Sequence, residues 1–244
     1  MNQVIHGDCL EVMPTLPDKS IDMILCDLPY GTTACKWDTI IPFEPLWKEY
    51  KRLIKDNGAI VLTASQPFTS ALVMSNPKMF KYEWVWHKRV ASNSQLAKYQ
   101  PLKTHENILV FGDGCNYKPQ GVIMCSIERT NDNRSKGVGH IGSEKKRNTF
   151  MQTQTGYPKS VLDIKPHNLY KLHPTQKPVA LFEYLIKTYT NEGETVLDNC
   201  AGSGTTAIAC LNTNRNYILI EKEKEYIDIT NKRIAEHEQQ LALC

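Results

Sequence analysis

Three short clusters of this 244-residue chain hold residue types that could bind and activate a planar ligand. The first is Asp27-Leu28-Pro29-Tyr30, followed by Gly31. A carboxylate, the carbonyl of an extended residue before proline and an aromatic face occur within four positions. An exocyclic amine on a planar base needs that set, because its two N–H groups want two acceptors and its ring wants a stacking partner. The alternative is a proline turn with a solvated aspartate and a packed tyrosine.

The second cluster is Asp198-Asn199-Cys200-Ala201-Gly202-Ser203-Gly204-Thr205. It follows an apolar strand and opens a helix. Glycines there let the backbone come close to a ligand, and free amides at a helix start are donors. Glu221 ends the next strand, where an acid suits the two hydroxyls of a ribose. Together these describe an adenosine site, and the missing third glycine argues against a dinucleotide. A tight strand-to-helix turn without ligand is the alternative. The third cluster is His6-Gly7-Asp8-Cys9. Asp8 could accept from the amino group of a bound adenine ring, or cap a helix with Glu11 three residues on. The two roles are compatible.

The elements that must position these clusters read as alternating strands and helices. Expected strands are Val4-Ile5, Ile21 to Cys26, Ala59 to Thr63, Glu83 to Trp86, Asn107 to Phe111, Thr195 to Leu197 ending at Asp198, and Tyr217 to Ile220 ending at Glu221. Expected helices are Pro45 to Ile54, with Asn57-Gly58 as its stop signal, Pro67 to Ser75, Val179 to Tyr189, the stretch to about Leu211, and a last one from Lys224. Ile227, Ile234 and Leu241 give that last helix an apolar line. This alternation implies an α/β fold, a mostly parallel sheet with helices on both faces, whose ligands bind at the carboxyl ends of the strands. Residues 112–167 break the pattern with seven glycines and little periodicity, and read as an insert with irregular elements.

Composition excludes other classes. Hydrophobic residues make up 41% and charged residues 23%, which rules out collagen-like and wholly disordered chains. No apolar run is long enough to span a bilayer, and the start lacks a signal-peptide pattern. The eight cysteines form no C-x-x-C pair and no zinc-finger spacing, so they read as reduced and mostly structural, with no metal and a cytoplasmic location. From Lys78 to Lys165 there are 15 basic and 7 acidic residues in a chain of net charge +3. A basic middle in an otherwise acidic chain suggests a surface facing a polyanion.

At this point the sequence resembles a family. Asp27-Leu28-Pro29-Tyr30 is similar to the catalytic D-P-P-Y of beta-class, S-adenosylmethionine-dependent DNA amino-methyltransferases. Ala201-Gly202-Ser203-Gly204 resembles their F-x-G-x-G. His173-Pro174-Thr175-Gln176-Lys177-Pro178 before a helix, and Lys103 to Phe111, resemble further family segments. The order is also the class's: catalytic motif, recognition region, cofactor loop. Leu28 and Ala201 depart from the family's proline and phenylalanine.

The resemblance implies a Rossmann-like methyltransferase fold, circularly rearranged, in which the first residues supply the strand beside the one ending at Glu221. Residues 1–111 would be the catalytic half, 112–167 the target-recognition insert and 168–244 the cofactor-binding half. It implies methyl transfer from S-adenosylmethionine, leaving S-adenosylhomocysteine, to the N6 amine of an adenine flipped out of double-stranded DNA, without a metal. Asp27 and the Leu28 carbonyl would accept the amine hydrogens, and Tyr30 would stack on the base. Asp8, Asp198, Ala201, Gly202, Ser203, Gly204, Thr205 and Glu221 would surround the cofactor, with Thr175, Gln176 and Lys177 near its methionine carboxylate. Lys88, Arg89, Lys103, Arg134, Lys136, Lys145, Lys146 and Arg147 are candidate phosphate contacts. Cytosine-N4 methylation is the nearest rival, and a catalytically inactive DNA-binding module a rival of another class. The recognition sequence, a restriction partner and homodimerisation are left open.

Overall fold

The computed structural model describes residues 2–32, 38–131, 148–166 and 176–242. Chain contacts divide it into two compact units, residues 1–118 with 160–244, and Pro119–Lys159.

The larger unit is an eight-stranded sheet. Its strands are β1 (Gln3–His6), β2 (Ile21–Cys26), β3 (Ile54–Ala64), β4 (Phe80–His87), β5 (His105–Phe111), β8 (Val161–Asp163), β9 (Thr195–Asp198) and β10 (Asn216–Glu221). Spatially they run β1-β10-β9-β2-β3-β5-β4-β8. The five from β1 to β3 are mutually parallel, and β5 is antiparallel to both β3 and β4. The first strand of the chain pairs with the last, His6 opposite Glu221, which is the expected circular rearrangement.

Side-chain alternation assigns the two faces. Met23 and Leu25 of β2 join Val61, Val110 and Val196 on one side, covered by α4 (Val179–Tyr189), α5 (Thr205–Asn212) and α6 (Lys224–Ala242). Ile24 and Cys26 join Ile60, Leu62 and Leu109 on the other, against α1 (Cys9–Val12), α2 (Phe43–Leu53) and α3 (Phe68–Ser75). All six residues of β2 are buried, as a strand covered on both faces must be. On α6, Ile227, Thr230 and Ile234 are buried on one line, while the side chain of Leu241 lies outside the described residues.

Two local readings change. Asn57-Gly58 does not stop α2 before a new strand. β3 starts at Ile54, directly after the helix, and the pair sits where register slips between Ile21↔Ile54 and Met23↔Ala59. A Cβ on Gly58 would stand 2.8 Å from the Asp22 carbonyl, so glycine serves a bulge in close contact with its neighbour strand. The second change is in the insert. The smaller unit holds an antiparallel pair, β6 (Ile123–Asn131) with β7 (Asn148–Thr155). Ile123, Met124, Phe150 and Met151 on these strands are exposed, so no one-sided apolar alternation marks them in the sequence. Residues 112–118 and 160–166 belong to the larger unit. The Lys118 amide donates to the Thr188 carbonyl, and β8 extends the sheet beside β4.

Candidate active site

From β9 the chain crosses to β10 on one side, and from β2 it crosses to β3 on the other. The crevice outside the carboxyl ends of β2 and β9 is therefore the topological switch point, where such sheets bind ligands. Both principal clusters begin there, Asp27 after β2 and Asp198 at the end of β9.

Asp27 is held at both oxygens. Its Oδ1 lies 2.8 Å from the Tyr30 hydroxyl and also accepts from the Thr63 hydroxyl, and its Oδ2 accepts from Lys177 Nζ at 2.6 Å. Lys177 continues to Glu106 Oε2 at 3.4 Å, and Glu106 Oε1 accepts from Lys88 Nζ at 2.9 Å. Burial opposes charge on Lys177, but Asp27 and Glu106 outweigh it and hold its ammonium above the ordinary lysine range. Burial, reinforced by Asp27 and Glu106, pushes the Tyr30 phenol well above its usual value, so it remains a donor. The Tyr30 ring stacks on Phe68 with centroids 5.2 Å apart, and Lys177 Nζ is 5.7 Å from its centroid. Asp38 fixes the end of the turn, accepting the Gly31 amide at 2.8 Å and the Thr32 amide at 2.9 Å. Gly31 has φ +66°, which suits glycine.

The glycine turn is pinned from three sides. Asp198, 3% exposed, accepts the Cys200 amide at 3.1 Å and the Thr206 hydroxyl. Burial pushes its carboxyl up to about 7, against those bonds. Glu221 accepts the Gly202 amide on Oε2 at 2.7 Å and the Glu223 amide on Oε1 at 2.8 Å. From α6, Thr230 donates to the Gly202 carbonyl at 3.0 Å and Arg233 to the Ser203 carbonyl at 3.0 Å. Gly204 takes the left-handed conformation, φ +74°, as the cap of α5. Asp8 caps α1 by accepting the Leu10 amide at 2.9 Å, and its Oδ2 lies 3.5 Å from Lys222 Nζ. Ala201, in the place of the family's aromatic residue, is buried in the core.

One cavity of about 540 Å³ joins these turns. Asp27, Leu28, Pro29 and Tyr30 line it on the β2 side, and Asp198, Ala201, Gly202, Ser203, Thr205 and Glu221 on the β9 side. Asp8, Gln176, Lys177 and Lys88 also line it, with Ile40 and Ile41 as an apolar wall. Gly204 does not; it lies against Thr230, whose Cγ2 would be 2.6 Å from an added Cβ.

The expected phosphate contacts scatter. Lys88 is 9% exposed and paired with Glu106 inside the cavity, so its ammonium is not offered to a phosphate. Arg89 is exposed but makes a two-pronged contact with Asp163, at 2.6 and 2.8 Å. Lys103 donates to the Ser65 hydroxyl. Thr175, Arg134, Lys136, Lys145, Lys146 and Arg147 lie outside the described residues.

Sequence reading missed Thr63, Asp38 and Glu106. Thr63 had a signal, a hydroxyl in the otherwise apolar run of β3, fully buried. Asp38 and Glu106 had none, because only the fold brings them to the Asp27 turn. Among the described residues, no group of three or more His, Cys, Asp or Glu is arranged to hold a metal ion. Cys9, Cys26, Cys115, Cys125, Cys200 and Cys210 are free thiols, and burial pushes Cys26 up to about 12. Among the described residues, no helix is long and apolar enough to cross a membrane.

Comparison with known proteins agrees with this geometry. Type II methyltransferase M.HinfI of Haemophilus influenzae is 27% identical over 97% of this chain and 69% of that protein. DNA adenine methyltransferase YhdJ of Escherichia coli K12 is 28% identical over 95% of this chain and 82% of that protein. The crystal structure of the M1.HpyAVI–SAM complex superimposes with a TM-score of 0.66 at 27% identity, covering 96% of this chain and 99% of that one. The DNA methylase profile N6_N4_Mtase matches residues 21–232, and the chain belongs to that family of DNA methyltransferases.

Proposed function

We propose that the chain transfers a methyl group from S-adenosylmethionine to the N6 amine of an adenine in double-stranded DNA. One observation carries this reading: Asp27 and the Gly202–Glu221 pair line the same cavity, at the adjoining carboxyl ends of β2 and β9.

The residues fit the cofactor. The Glu221 oxygens each accept one amide, which leaves each a lone pair for a ribose hydroxyl. Asp8, Ile40, Ile41 and Gln176 line this cavity, where Asp8 would accept from the adenine amino group, the two isoleucines would wall the ring, and Gln176 would meet the methionine end. The cavity volume is in the range of small-molecule sites. Bound there, S-adenosylmethionine supplies a methyl group already activated on a sulfonium. The protein's task is then position and electrostatics.

The target amine is a poor nucleophile because its lone pair is delocalised into the ring. Asp27 Oδ2, with a lone pair remaining beside Lys177, accepts one N–H, and the Leu28 carbonyl accepts the other. This draws electron density onto the nitrogen that attacks. Tyr30 lines the same wall and offers its ring to the base, a contact worth roughly 1–3 kcal/mol. A base inside a duplex cannot enter the cavity, so the nucleotide is flipped out.

Incubation with S-adenosylmethionine and unmethylated DNA, followed by mass spectrometry of the nucleosides, tests the reading. N6-methyladenine is the expected product. N4-methylcytosine would transfer the same machinery to cytosine, and the absence of both products would refute transfer to DNA.

A further inference from the structure

The resemblance to the family directs Lys177 to the cofactor carboxylate, yet its ammonium is engaged elsewhere. The side chain is 7% exposed and lies between two carboxylates, 2.6 Å from Asp27 Oδ2 and 3.4 Å from Glu106 Oε2. Glu106 is fixed in turn by Lys88, at 2.9 Å, and Lys88 also reaches the Ser92 hydroxyl at 3.3 Å. The four groups form a line of alternating sign, Lys88, Glu106, Lys177, Asp27, with no net charge. They come from four places in the chain: the end of β4, the start of β5, the residue before the Pro178 cap of α4, and the turn after β2.

We infer that Lys177 is a positioning residue for Asp27, locked in place by Glu106 and Lys88, and not a ligand of the cofactor carboxylate. The inference rests on the methyltransferase reading and deepens it.

The physical case has three steps. A carboxylate that must stay anionic in a largely apolar cavity needs a fixed counter-charge, because water is excluded when ligands fill the site. Lys177 is that charge, and with Tyr30 and Thr63 on the opposite oxygen it fixes the plane of the carboxylate as well. A lone ammonium would also be drawn to the anionic end of the methionine. Glu106 opposes that. Its Oε1 is occupied by Lys88, while Oε2 is buried and has no hydrogen-bond partner among the described residues, so its attraction is spent on Lys177. Lys177 is thereby held at the acceptor end of the cavity. Burial disfavours the ammonium, and the two carboxylates outweigh it.

The test separates kcat from cofactor affinity. Lys177→Met should lower kcat about a hundredfold or more, the cost of removing a preorganised charge from a reacting group. Its Kd for S-adenosylmethionine, by isothermal titration, should stay within about threefold of wild type. Glu106→Gln should lower kcat by about tenfold, and the double variant should be no slower than Lys177→Met alone, since Glu106 acts through Lys177. Lys177→Arg, which retains the charge, should recover part of the rate. If Lys177→Met does not fold, Glu106→Gln carries the test, with lowered kcat and unchanged affinity expected and unchanged kcat overturning the assignment. A weakened Kd with kcat preserved would make Lys177 a cofactor ligand and overturn it too. Wild-type protein assayed alongside on unmethylated DNA keeps the two failures apart. No transfer by wild type refutes the methyltransferase reading, whereas transfer with equal kcat in Lys177→Met refutes this inference alone.

Discussion

The Glu221 carboxylate lies 2.7 Å from the amide of Gly202, so the acid at the end of β10 and the glycine turn after β9 form one rigid unit. Its other oxygen accepts the Glu223 amide, which ties the start of α6 to the same group. The residue proposed to meet a ribose is therefore also the clamp of the glycine turn.

Glu221→Gln makes that double role measurable. The glutamine amide can accept one backbone N–H but must set its NH2 against the other, leaving one part-buried donor unpaired. That mismatch costs about 1–3 kcal/mol. The unliganded variant should therefore unfold at a lower temperature than wild type, and its affinity for S-adenosylmethionine should fall by at least tenfold. A loss of affinity with an unchanged melting temperature would mean that the clamp carries no weight.

Gly204→Ala tests the support from α6. An alanine there meets φ +74° and places its Cβ 2.6 Å from Thr230 Cγ2. Strain of about 1–3 kcal/mol follows from the backbone alone, and the contact adds to it. Thr230→Ser removes the methyl group but keeps the hydroxyl that bonds the Gly202 carbonyl. Calorimetry should find the Gly204→Ala penalty smaller in the Thr230→Ser background, with coupling between the two sites. Equal penalties in both backgrounds would rule out the contact.

Asp27→Asn keeps the shape of the acceptor but removes its charge, and gives Lys177 a neutral partner. Turnover should fall about 10²- to 10³-fold, while S-adenosylmethionine still binds at the glycine turn. Single-turnover methyl transfer and calorimetric titration on the same preparation check both halves. Transfer at the wild-type rate would remove Asp27 from the reaction.

The legibility of this chain divides along physical lines. β2, α4 and β10 could be read because burial imposes a local signature: a continuous apolar run for a strand covered on both faces, a one-sided stripe for a covered helix. The glycine turn and Glu221 were legible because a backbone constraint and an acid recur at strand ends. The β6–β7 pair was not, since strands with exposed apolar residues such as Met124 and Phe150 carry no alternation of burial. Charge alone marks Lys88 as a phosphate contact, and the family resemblance directs Lys177 to the cofactor carboxylate. Their partners, Glu106 and Asp27, lie 18 and 150 positions away, and only sheet order brings them together.

Asp198 predicts a pH dependence of stability. Burial holds its carboxyl at about 7 in the folded protein, above the ordinary value of 3.8. Between those two values the folded state binds more protons than the unfolded chain. The contribution of Asp198 to stability therefore falls as pH rises from about 4 to 7, and is fully lost above that. The size is on the order of a few kcal/mol. Asp198→Asn can still accept the Cys200 amide and does not titrate. Its stability relative to wild type, from denaturant unfolding, should improve steadily across that interval and level off above pH 7. A constant difference from pH 4 to 8 would show that the buried carboxyl does not titrate there.

Lys88 supplies a last test, of whether a basic residue in the basic middle of the chain meets DNA or serves the site. An exposed lysine on a phosphate releases about one counterion, so its removal lowers the slope of log K against log salt by about one. Lys88 is buried on Glu106, and its loss frees Glu106 Oε1 inside the cavity rather than baring a phosphate. Lys88→Ala should then leave the salt dependence of DNA binding as in wild type and lower turnover, because Glu106 is no longer fixed against Lys177. Filter binding of unmethylated duplex DNA at several salt concentrations, with methyl-transfer rates on the same samples, decides between the two roles. A slope reduced by about one with turnover at saturating DNA unchanged would return Lys88 to the DNA surface.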